Sequence, residues 1–327
     1  MANRSDSSAT APPGALLAIG GAEDKLGKRG LLRQFLALSG GEDARIAVVP
    51  TASSLGPEIV EVYDVLFRKL GAREVVEARP ESREEADDPR LAALLDDVTG
   101  IFMTGGNQLK LSAVLNGTRF GNAIKAAHRR GVTVAGTSAG ASIQSSHMVA
   151  FGPGGATPKQ RMTQLAAGLG LVDDCVIDQH FDQRNRYGRL LMIVAQSPSL
   201  LGIGVDEDTA AIFTEQDGRQ VMRVAGRGVV TVLDARHIVS NAHEARQHAP
   251  LLASGVVLHV LPAGAVFDLT DRVLLERHEA ADPKAAHGLA VAGRDLSRLA
   301  RDIAAGDVSP SLLRRRRARR RHEGDTA

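Results

Sequence analysis

The residues best suited to chemistry lie in the run Val132–Gly140, which reads VTVAGTSAG. Its β-branched residues predict a buried strand, and its Gly-x-Ser-x-Gly segment predicts a sharp turn into a helix. This pattern is typical of a nucleophile elbow that exposes Ser138 at the end of a sheet. Gly136 and Gly140 avoid side-chain collisions in so tight a turn, and the helix N-terminus offers N–H groups to an oxyanion. A loop in which Ser138 only caps the helix is the alternative.

A serine nucleophile needs a base, and the base needs an acceptor that orients it. Of the ten histidines, His180 is the one that directly ends an apolar strand within the expected α/β core. A polar residue at a strand end, without a catalytic role, is the alternative. Three acidic residues share another strand end, and spacing does not choose among them: Asp206, Glu207 and Asp208.

Three arginines follow His180 in the chain: Arg184, Arg186 and Arg189. We predict that they occupy the first turns of a helix, although the positive end of the helix dipole disfavours cations there. They form either a solvated charged face or the lining of an anion site, because the guanidinium fork suits carboxylates. Beside a catalytic serine, they indicate a substrate that carries several carboxylates.

The elements that would position these residues alternate between short strands and helices from Ala15 to Val205. This alternation predicts an α/β fold with a mainly parallel central sheet covered by helices on both faces. Ligands bind at the carboxyl ends of the strands in such sheets. We expect a flexible loop from Phe151 to about Gly170, and the valine-rich runs from Gln220 to Leu269 predict a mixed or antiparallel strand region.

Composition indicates a protein with an aliphatic core, since 43% of its 327 residues are hydrophobic and only 3% are aromatic. The single cysteine, Cys175, excludes an internal disulfide, fits a reducing compartment and is interpreted as a small buried residue. No run reaches the apolar length of a membrane helix, and the N-terminus lacks the pattern of a secretory signal. We therefore expect a cytoplasmic protein.

The charge of the chain is unevenly distributed. The net charge is +2, but seven arginines lie in the tail Arg314–Arg321, and without them 33 basic residues face 38 acidic ones. We predict a disordered leader (residues 1–14), one catalytic α/β domain (15–271) and a C-terminal extension (272–327). The tail could neutralise phosphates of RNA or DNA, but a solvated terminus is the favoured interpretation.

Four further runs accompany the elbow and the arginines: GGAED at Gly20–Asp24, GGNQ at Gly105–Gln108, DQHF at Asp178–Phe181 and VLHVLPAG at Val257–Gly264. Together these motifs resemble the cyanophycinase family of serine peptidases, which is related to aspartyl dipeptidase and to the class I glutaminase fold. The resemblance extends from about Ala15 to Asp271, and several motifs in the right order are far more specific than any one of them. It does not cover the C-terminal extension.

The resemblance implies that Ser138 is the nucleophile, His180 the base and Glu207 the acid that orients it. It also implies an oxyanion hole formed by the backbone N–H groups of Gly106 and Ala139. Six residues are implied to line the substrate pocket: Gln108, Asp178, Gln179, Arg184, Arg186 and Arg189. The implied activity is hydrolysis of the poly-aspartate backbone of cyanophycin to β-aspartyl-arginine dipeptides, by a homodimer without metal or cofactor.

Several alternatives stay open from the sequence. A dipeptidase acting on short aspartyl peptides would use the same triad, and a binding module on this fold would use none. An α/β-hydrolase would take its base from a later histidine, namely His237, His243 or His259, but no lipase-type oxyanion motif is present. A metal site at Asp178, His180 and Asp182 is not favoured, because no second histidine lies near them in the sequence.

Overall fold

The structure is a computed structural model that describes residues 12–276. These residues lie within one unit of the chain, Met1–His278. The predicted leader and the predicted extension with its arginine tail fall almost entirely outside the described residues, so both stay predictions. No helix among residues 12–276 is both long and apolar enough to cross a membrane.

Seventeen short strands lie within residues 12–276. They are β1 (Leu16–Ile19), β2 (Arg45–Val49), β3 (Glu74–Glu77), β4 (Gly100–Met103), β5 (Thr133–Thr137), β6 (His147–Phe151), β7 (Gln164–Ala167), β8 (Cys175–Gln179), β9 (Leu201–Val205), β10 (Thr209–Gln216), β11 (Arg219–Gly226), β12 (Val229–Asp234), β13 (Val239–Ser240), β14 (Ala253–Ser254), β15 (Val257–Pro262), β16 (Val266–Asp268) and β17 (Val273–Glu276).

Helices connect the strands in the first two thirds of the chain, as the alternating pattern predicts. They are α1 (Gly30–Leu38), α2 (Glu58–Leu70), α3 (Arg83–Ala86), α4 (Pro89–Ala93), α5 (Gln108–Leu115), α6 (Arg119–Arg129), α7 (Ala139–Ser142) and α8 (Tyr187–Gln196), with a 3-10 turn at Gly41–Asp43.

The larger sheet has nine strands in the order β17-β16-β11-β10-β1-β5-β4-β2-β3. The strands from β1 to β3 in that order run parallel to their neighbours. Strand β10 is antiparallel to β1, and β11, β16 and β17 continue the sheet in antiparallel fashion. The predicted α/β class, with a mainly parallel N-terminal part and antiparallel C-terminal strands, is confirmed.

A second sheet of four strands has the order β15-β12-β9-β8. Strands β8 and β9 are parallel, whereas β12 is antiparallel to both β9 and β15. The nucleophile elbow follows β5 of the larger sheet, and the segments with His180 and Glu207 follow β8 and β9 of the smaller one. The candidate site therefore depends on how these two sheets meet.

The core is aliphatic around both sheets, with one aromatic cluster on the face covered by α1 and α2. In this cluster the rings of Phe35, Tyr63, Phe67 and Phe102 lie with centroids 4.6 to 6.0 Å apart. Each such side chain contributes about 1.5–3 kcal/mol when it is removed from water. The cluster anchors α2 and thereby fixes the position of the Tyr63 hydroxyl.

Two local expectations differ from the structure. The segment predicted as a flexible loop contains β7, which pairs in antiparallel fashion with β6. The helix after His180 starts only at Tyr187, so Arg184 and Arg186 lie in the turn before it. Positive φ angles at His180 (47°) and Asn185 (49°) interrupt the helical path there. Only Arg189 is therefore a helical residue.

Candidate active site

Ser138 occupies the sharp turn between β5 and α7, with φ 53° and ψ −107°. Its two flanking glycines are required by close backbone contacts. A Cβ on Gly136 would lie 2.0 Å from the carbonyl oxygen of Gly140, and one on Gly140 would lie 2.3 Å from that of Met103. The local sequence therefore forms the strained strand–turn–helix geometry that a nucleophile elbow needs.

The side chains of Ser138, His180 and Glu207 lie in a hydrogen-bonded row. Ser138 Oγ is 3.0 Å from His180 Nε2, and His180 Nδ1 is 2.6 Å from Glu207 Oε1. A carboxylate facing Nδ1 favours the tautomer with its proton on Nδ1, which leaves Nε2 free to accept the proton of the serine hydroxyl. The arrangement can activate Ser138 as a nucleophile.

The structure distinguishes the three neighbouring acids that the sequence leaves equivalent. Asp206 accepts hydrogen bonds from the backbone N–H groups of Asp182 (3.2 Å) and Val229 (3.1 Å). Asp208 accepts one from the N–H of Asp24 at 2.9 Å. Both flanking carboxylates therefore hold loops, and only Glu207 of the three reaches the imidazole.

The imidazole of His180 is largely removed from water. Burial lowers its pKa below the ordinary 6.5, the charges of Arg184 and Arg186 lower it further, and the hydrogen bond and charge of Glu207 act in the opposite direction. The net lowering keeps His180 neutral near pH 7, the form in which it can act as a general base.

The loop after β4 approaches Ser138 from the neighbouring strand. A Cβ on Gly105 would lie 3.3 Å from Ser138 Cβ, and one on Gly106 would lie 2.0 Å from the carbonyl oxygen of Ala52. Gly106 has φ +143°, so both space and backbone conformation favour glycine there. Within residues 12–276, neither the N–H of Gly106 nor that of Ala139 has a hydrogen-bond acceptor.

Asp178 and Arg189 form a buried ion pair. Arg189 Nε donates a 2.6 Å hydrogen bond to Asp178 Oδ2, and Arg189 Nη2 donates to Asp178 Oδ1. Arg189 Nη1 also donates to the carbonyl oxygen of Gly152 at 2.8 Å. The relative exposure of the two side chains is 3% and 0%. The charge of Arg189 is therefore already matched by Asp178.

Three of the remaining predicted pocket residues form a hydrogen-bonded row beside this pair: Arg186, Gln179 and Gln108. Arg186 Nη1 lies 3.2 Å from Asp178 Oδ1 and donates to Gln179 Oε1. Gln179 Nε2 donates to Gln108 Oε1 at 2.9 Å. Burial lowers the pKa of Arg186 to about 10, so it stays charged near neutral pH. Arg184 does not belong to this row, and its side chain is exposed.

Sequence reasoning assigned no role to a buried carboxylate beneath the elbow. The side chain of Glu23 is 1% exposed and accepts hydrogen bonds from Tyr63 Oη and Thr137 Oγ1, both at 2.5 Å. In the sequence, Glu23 lies in the GGAED run that directly follows β1. A carboxylate inside a short turn at the carboxyl end of a central strand was the signal available.

The chain is similar to several known proteins. A profile of Peptidase family S51 matches residues 16–221 of the chain. Cyanophycinase from Trichormus variabilis is 40% identical over 263 residues, which cover 80% of this chain and 87% of that protein. Cyanophycinase from Geminocystis herdmanii is 36% identical over 252 residues, which cover 76% of this chain and 92% of that protein.

A solved structure has the same fold. The crystal structure of a peptidase from an acI-B1 Actinobacterium superposes with a TM-score of 0.54 at 22% identity, and the match covers 76% of this chain and 98% of that one. At this identity the likeness shows the fold alone. The family profile, however, spans more than half of the chain, and the curated relatives exceed 30% identity over most of their length. The chain belongs to Peptidase family S51.

Proposed function

We propose that this protein is a serine-type exopeptidase that degrades cyanophycin. It hydrolyses the poly-aspartate backbone, whose side-chain carboxyls carry arginine, and releases β-aspartyl-arginine dipeptides. The observation on which the proposal rests is the row Ser138–His180–Glu207, with spacings of 3.0 and 2.6 Å. The similarity of the chain to cyanophycinases, at 36–40% identity, supports this substrate.

Acylation begins with proton transfer in this proposal. His180 Nε2 accepts the proton of Ser138 as Oγ attacks the backbone carbonyl carbon of the substrate. Glu207 stabilises the imidazolium that forms. The N–H groups of Gly106 and Ala139 stabilise the negative charge on the carbonyl oxygen, because they have no acceptor of their own among the described residues.

Collapse of the tetrahedral intermediate breaks the C–N bond. His180 donates its proton to the departing amine, and the acyl group stays on Ser138 Oγ as an ester. A water molecule then transfers a proton to His180 Nε2 and attacks the ester carbonyl. The carboxylic acid product leaves, and the proton on His180 returns to Ser138 Oγ.

Arginine side chains near the triad suit a substrate with several carboxylates. Arg184 is exposed. Arg186 is charged and forms an ion pair with Asp178. We assign recognition of the free carboxylate of the substrate to these two residues. Arg189 and Asp178 instead support the pocket wall, because their charges match each other in a buried pair.

The test is incubation of the purified protein with insoluble cyanophycin, followed by measurement of soluble β-aspartyl-arginine. We expect release by the wild type and a loss of about 10⁴-fold or more in Ser138→Ala. Ser142→Ala is the matched control, since Ser142 lies one turn further along and its buried Oγ has no partner within the described residues. It should retain activity.

Other outcomes would replace the proposal. Cleavage of short aspartyl peptides without release from the polymer would identify a dipeptidase with the same triad. Failure of a serine-directed phosphonate to label the wild type, together with no hydrolysis of either substrate, would favour a binding module. Equal dipeptide release by the wild type and Ser138→Ala would exclude Ser138 as the nucleophile.

We also infer a homodimer, because the cyanophycinase resemblance implies one, and a cytoplasmic location, because the single cysteine fits a reducing compartment. Sedimentation velocity measures the oligomeric state directly. A species with the mass of one chain at all protein concentrations would contradict the dimer, and recovery of the protein outside the cytoplasmic fraction would contradict the location.

A further inference from the structure

We propose that Glu23 is a positioning residue that holds the nucleophile elbow in its reactive geometry. This inference rests on the assignment of Ser138 as the nucleophile. Glu23 does not hydrogen-bond to Ser138 directly. It acts through Thr137, the residue that precedes Ser138 in the chain.

The Glu23 carboxylate joins three separate segments of the chain. Its Oε1 accepts a hydrogen bond from Tyr63 Oη of α2 (2.5 Å) and lies 2.6 Å from Lys25 Nζ. Its Oε2 accepts a hydrogen bond from Thr137 Oγ1 at the end of β5 (2.5 Å). A buried charge is tolerated only where such partners satisfy it. The hydroxyls of Tyr63 and Thr137 and the ammonium of Lys25 supply three donors, which satisfy the buried carboxylate. The Thr137 hydroxyl thereby has a defined partner.

The elbow needs such support because its backbone is strained. Ser138 has φ 53°, a region that residues with a Cβ adopt at a cost, and it persists only where the surroundings hold it. The N–H of Ser138 donates to the carbonyl oxygen of Ile19 at 2.9 Å, which fixes the backbone at this point. The Thr137–Glu23 hydrogen bond fixes the adjacent side chain. Together they restrict rotation of the segment that aims Ser138 Oγ at His180.

The turn that carries Glu23 also contacts the segments of the other two triad members. The carbonyl oxygen of Gly20 accepts a hydrogen bond from the N–H of His180 at 2.8 Å. The carbonyl oxygen of Gly21 accepts one from the N–H of Asp208, next to Glu207, also at 2.8 Å. A displacement of this turn would therefore change the distances among Ser138, His180 and Glu207, which follow strands of the two sheets.

A carboxylate is better suited to this position than an amide. Lys25 Nζ and the two hydroxyl groups all present protons to Glu23, and an amide would replace one acceptor oxygen with a donor. Burial and the negative charge of Glu23 raise the pKa of Tyr63 well above its ordinary value, so its hydroxyl stays a donor. The network is thus a fixed set of donors around one anion.

The experiment compares Glu23→Gln, Thr137→Val and the double variant with the wild type. The readouts are the rate of labelling of Ser138 by a serine-directed phosphonate, kcat and KM on cyanophycin, and hydrogen–deuterium exchange of the peptide that spans β5 and α7. We expect each single variant to lower kcat and the labelling rate about tenfold or more, with KM within about twofold. The double variant should be no slower than the slower single variant, because both changes remove the same contact.

Asp268→Asn is the matched control, since it also neutralises a fully buried carboxylate paired with a basic side chain, but in β16. It should lower stability and leave labelling and exchange of the elbow unchanged. Wild-type labelling rates in both single variants, or multiplied losses in the double variant, would overturn the role of Glu23. If the wild type is neither labelled nor active, the proposed function fails, and exchange of the elbow peptide alone then decides whether Glu23 orders it.

Discussion

Arg189 and Asp178 form a bidentate pair in which Nε lies 2.6 Å from Oδ2 and Nη2 contacts Oδ1, with both side chains almost fully buried. The arginines that follow His180 therefore differ in how far their side chains are exposed to solvent. Arg189 is part of the protein interior, and Arg184 faces solvent. Arg184 and Arg189 lie close together in the sequence, but their side chains have different environments and different physical roles.

Removal of one partner from this pair should destabilise the protein. Asp178→Asn leaves the Arg189 guanidinium buried without its anion, and we expect the free energy of unfolding to fall by about 3–5 kcal/mol. Urea denaturation followed by circular dichroism measures the change. An unfolding midpoint equal to that of the wild type would contradict a stabilising role for this pair.

Arg184→Ala should act on binding and leave stability unchanged. An exposed guanidinium contributes modestly to carboxylate binding, so we expect KM for cyanophycin to rise roughly 2–5-fold with kcat unchanged. Arg129→Ala is the control, because Arg129 is also exposed but ends the helix that precedes β5, at the opposite end of that strand from Ser138. Equal KM values in the two variants would remove Arg184 from substrate recognition.

The pH dependence of kcat/KM should report the environment of His180. Its pKa is lowered below 6.5, so the imidazole stays neutral to lower pH and activity should fall only on the acid side of 6.5. In Glu207→Gln the negative charge that raises this pKa is lost, and the hydrogen bond to Nδ1 is weakened. The acid limb should therefore move to still lower pH, and the plateau should fall by about 10²–10⁴-fold.

A pH–rate series of the wild type and Glu207→Gln tests this expectation. Glu215→Gln serves as the control, since Glu215 is exposed near the far end of β10. It should reproduce the wild-type profile. An acid limb that shifts to higher pH in Glu207→Gln would contradict the assignment of Glu207 as the partner of His180.

Gly21→Ala should impair catalysis by displacing the imidazole of His180, the proposed base. A Cβ at this position would lie 2.3 Å from His180 Cε1, and the φ of Gly21 is +100°. We expect kcat to fall about 100-fold, because a shift of about 1 Å in a catalytic group has an effect of this size. Measurement of kcat and of the thermal unfolding midpoint separates displacement from unfolding.

Gly40→Ala isolates the contribution of backbone strain. Gly40 has nearly the same φ, +104°, but a Cβ there would have its nearest atom at 3.9 Å. It should lower the unfolding midpoint as Gly21→Ala does and retain activity. A similar loss of kcat in both variants would attribute the effect to general destabilisation.

Local patterns in the sequence determined the elements and the elbow. The strand before Ser138 and its two flanking glycines could be predicted because their causes, β-branched residues and a turn too tight for a Cβ, lie within nine residues. The α/β class followed from the alternation of strands and helices. The motifs indicated Ser138 and His180, and the family resemblance implied Glu207. The structure brings these three side chains into hydrogen-bonding contact.

Tertiary structure decided which side chains meet. His180 and Glu207 follow strands of one sheet and Ser138 follows a strand of another, so their contact depends on packing between residues that are far apart in the chain. The same packing separated Glu207 from Asp206 and Asp208, buried Arg189 against Asp178, and placed Glu23 beneath Thr137. Sequence alone determined the local geometry of the elbow, because short-range sterics and periodicity produce it, but it did not predict strand β7 or the late start of α8 at Tyr187. The charge pairs needed the folded chain, because burial and distance, which no local pattern encodes, select the partner of each ionisable group.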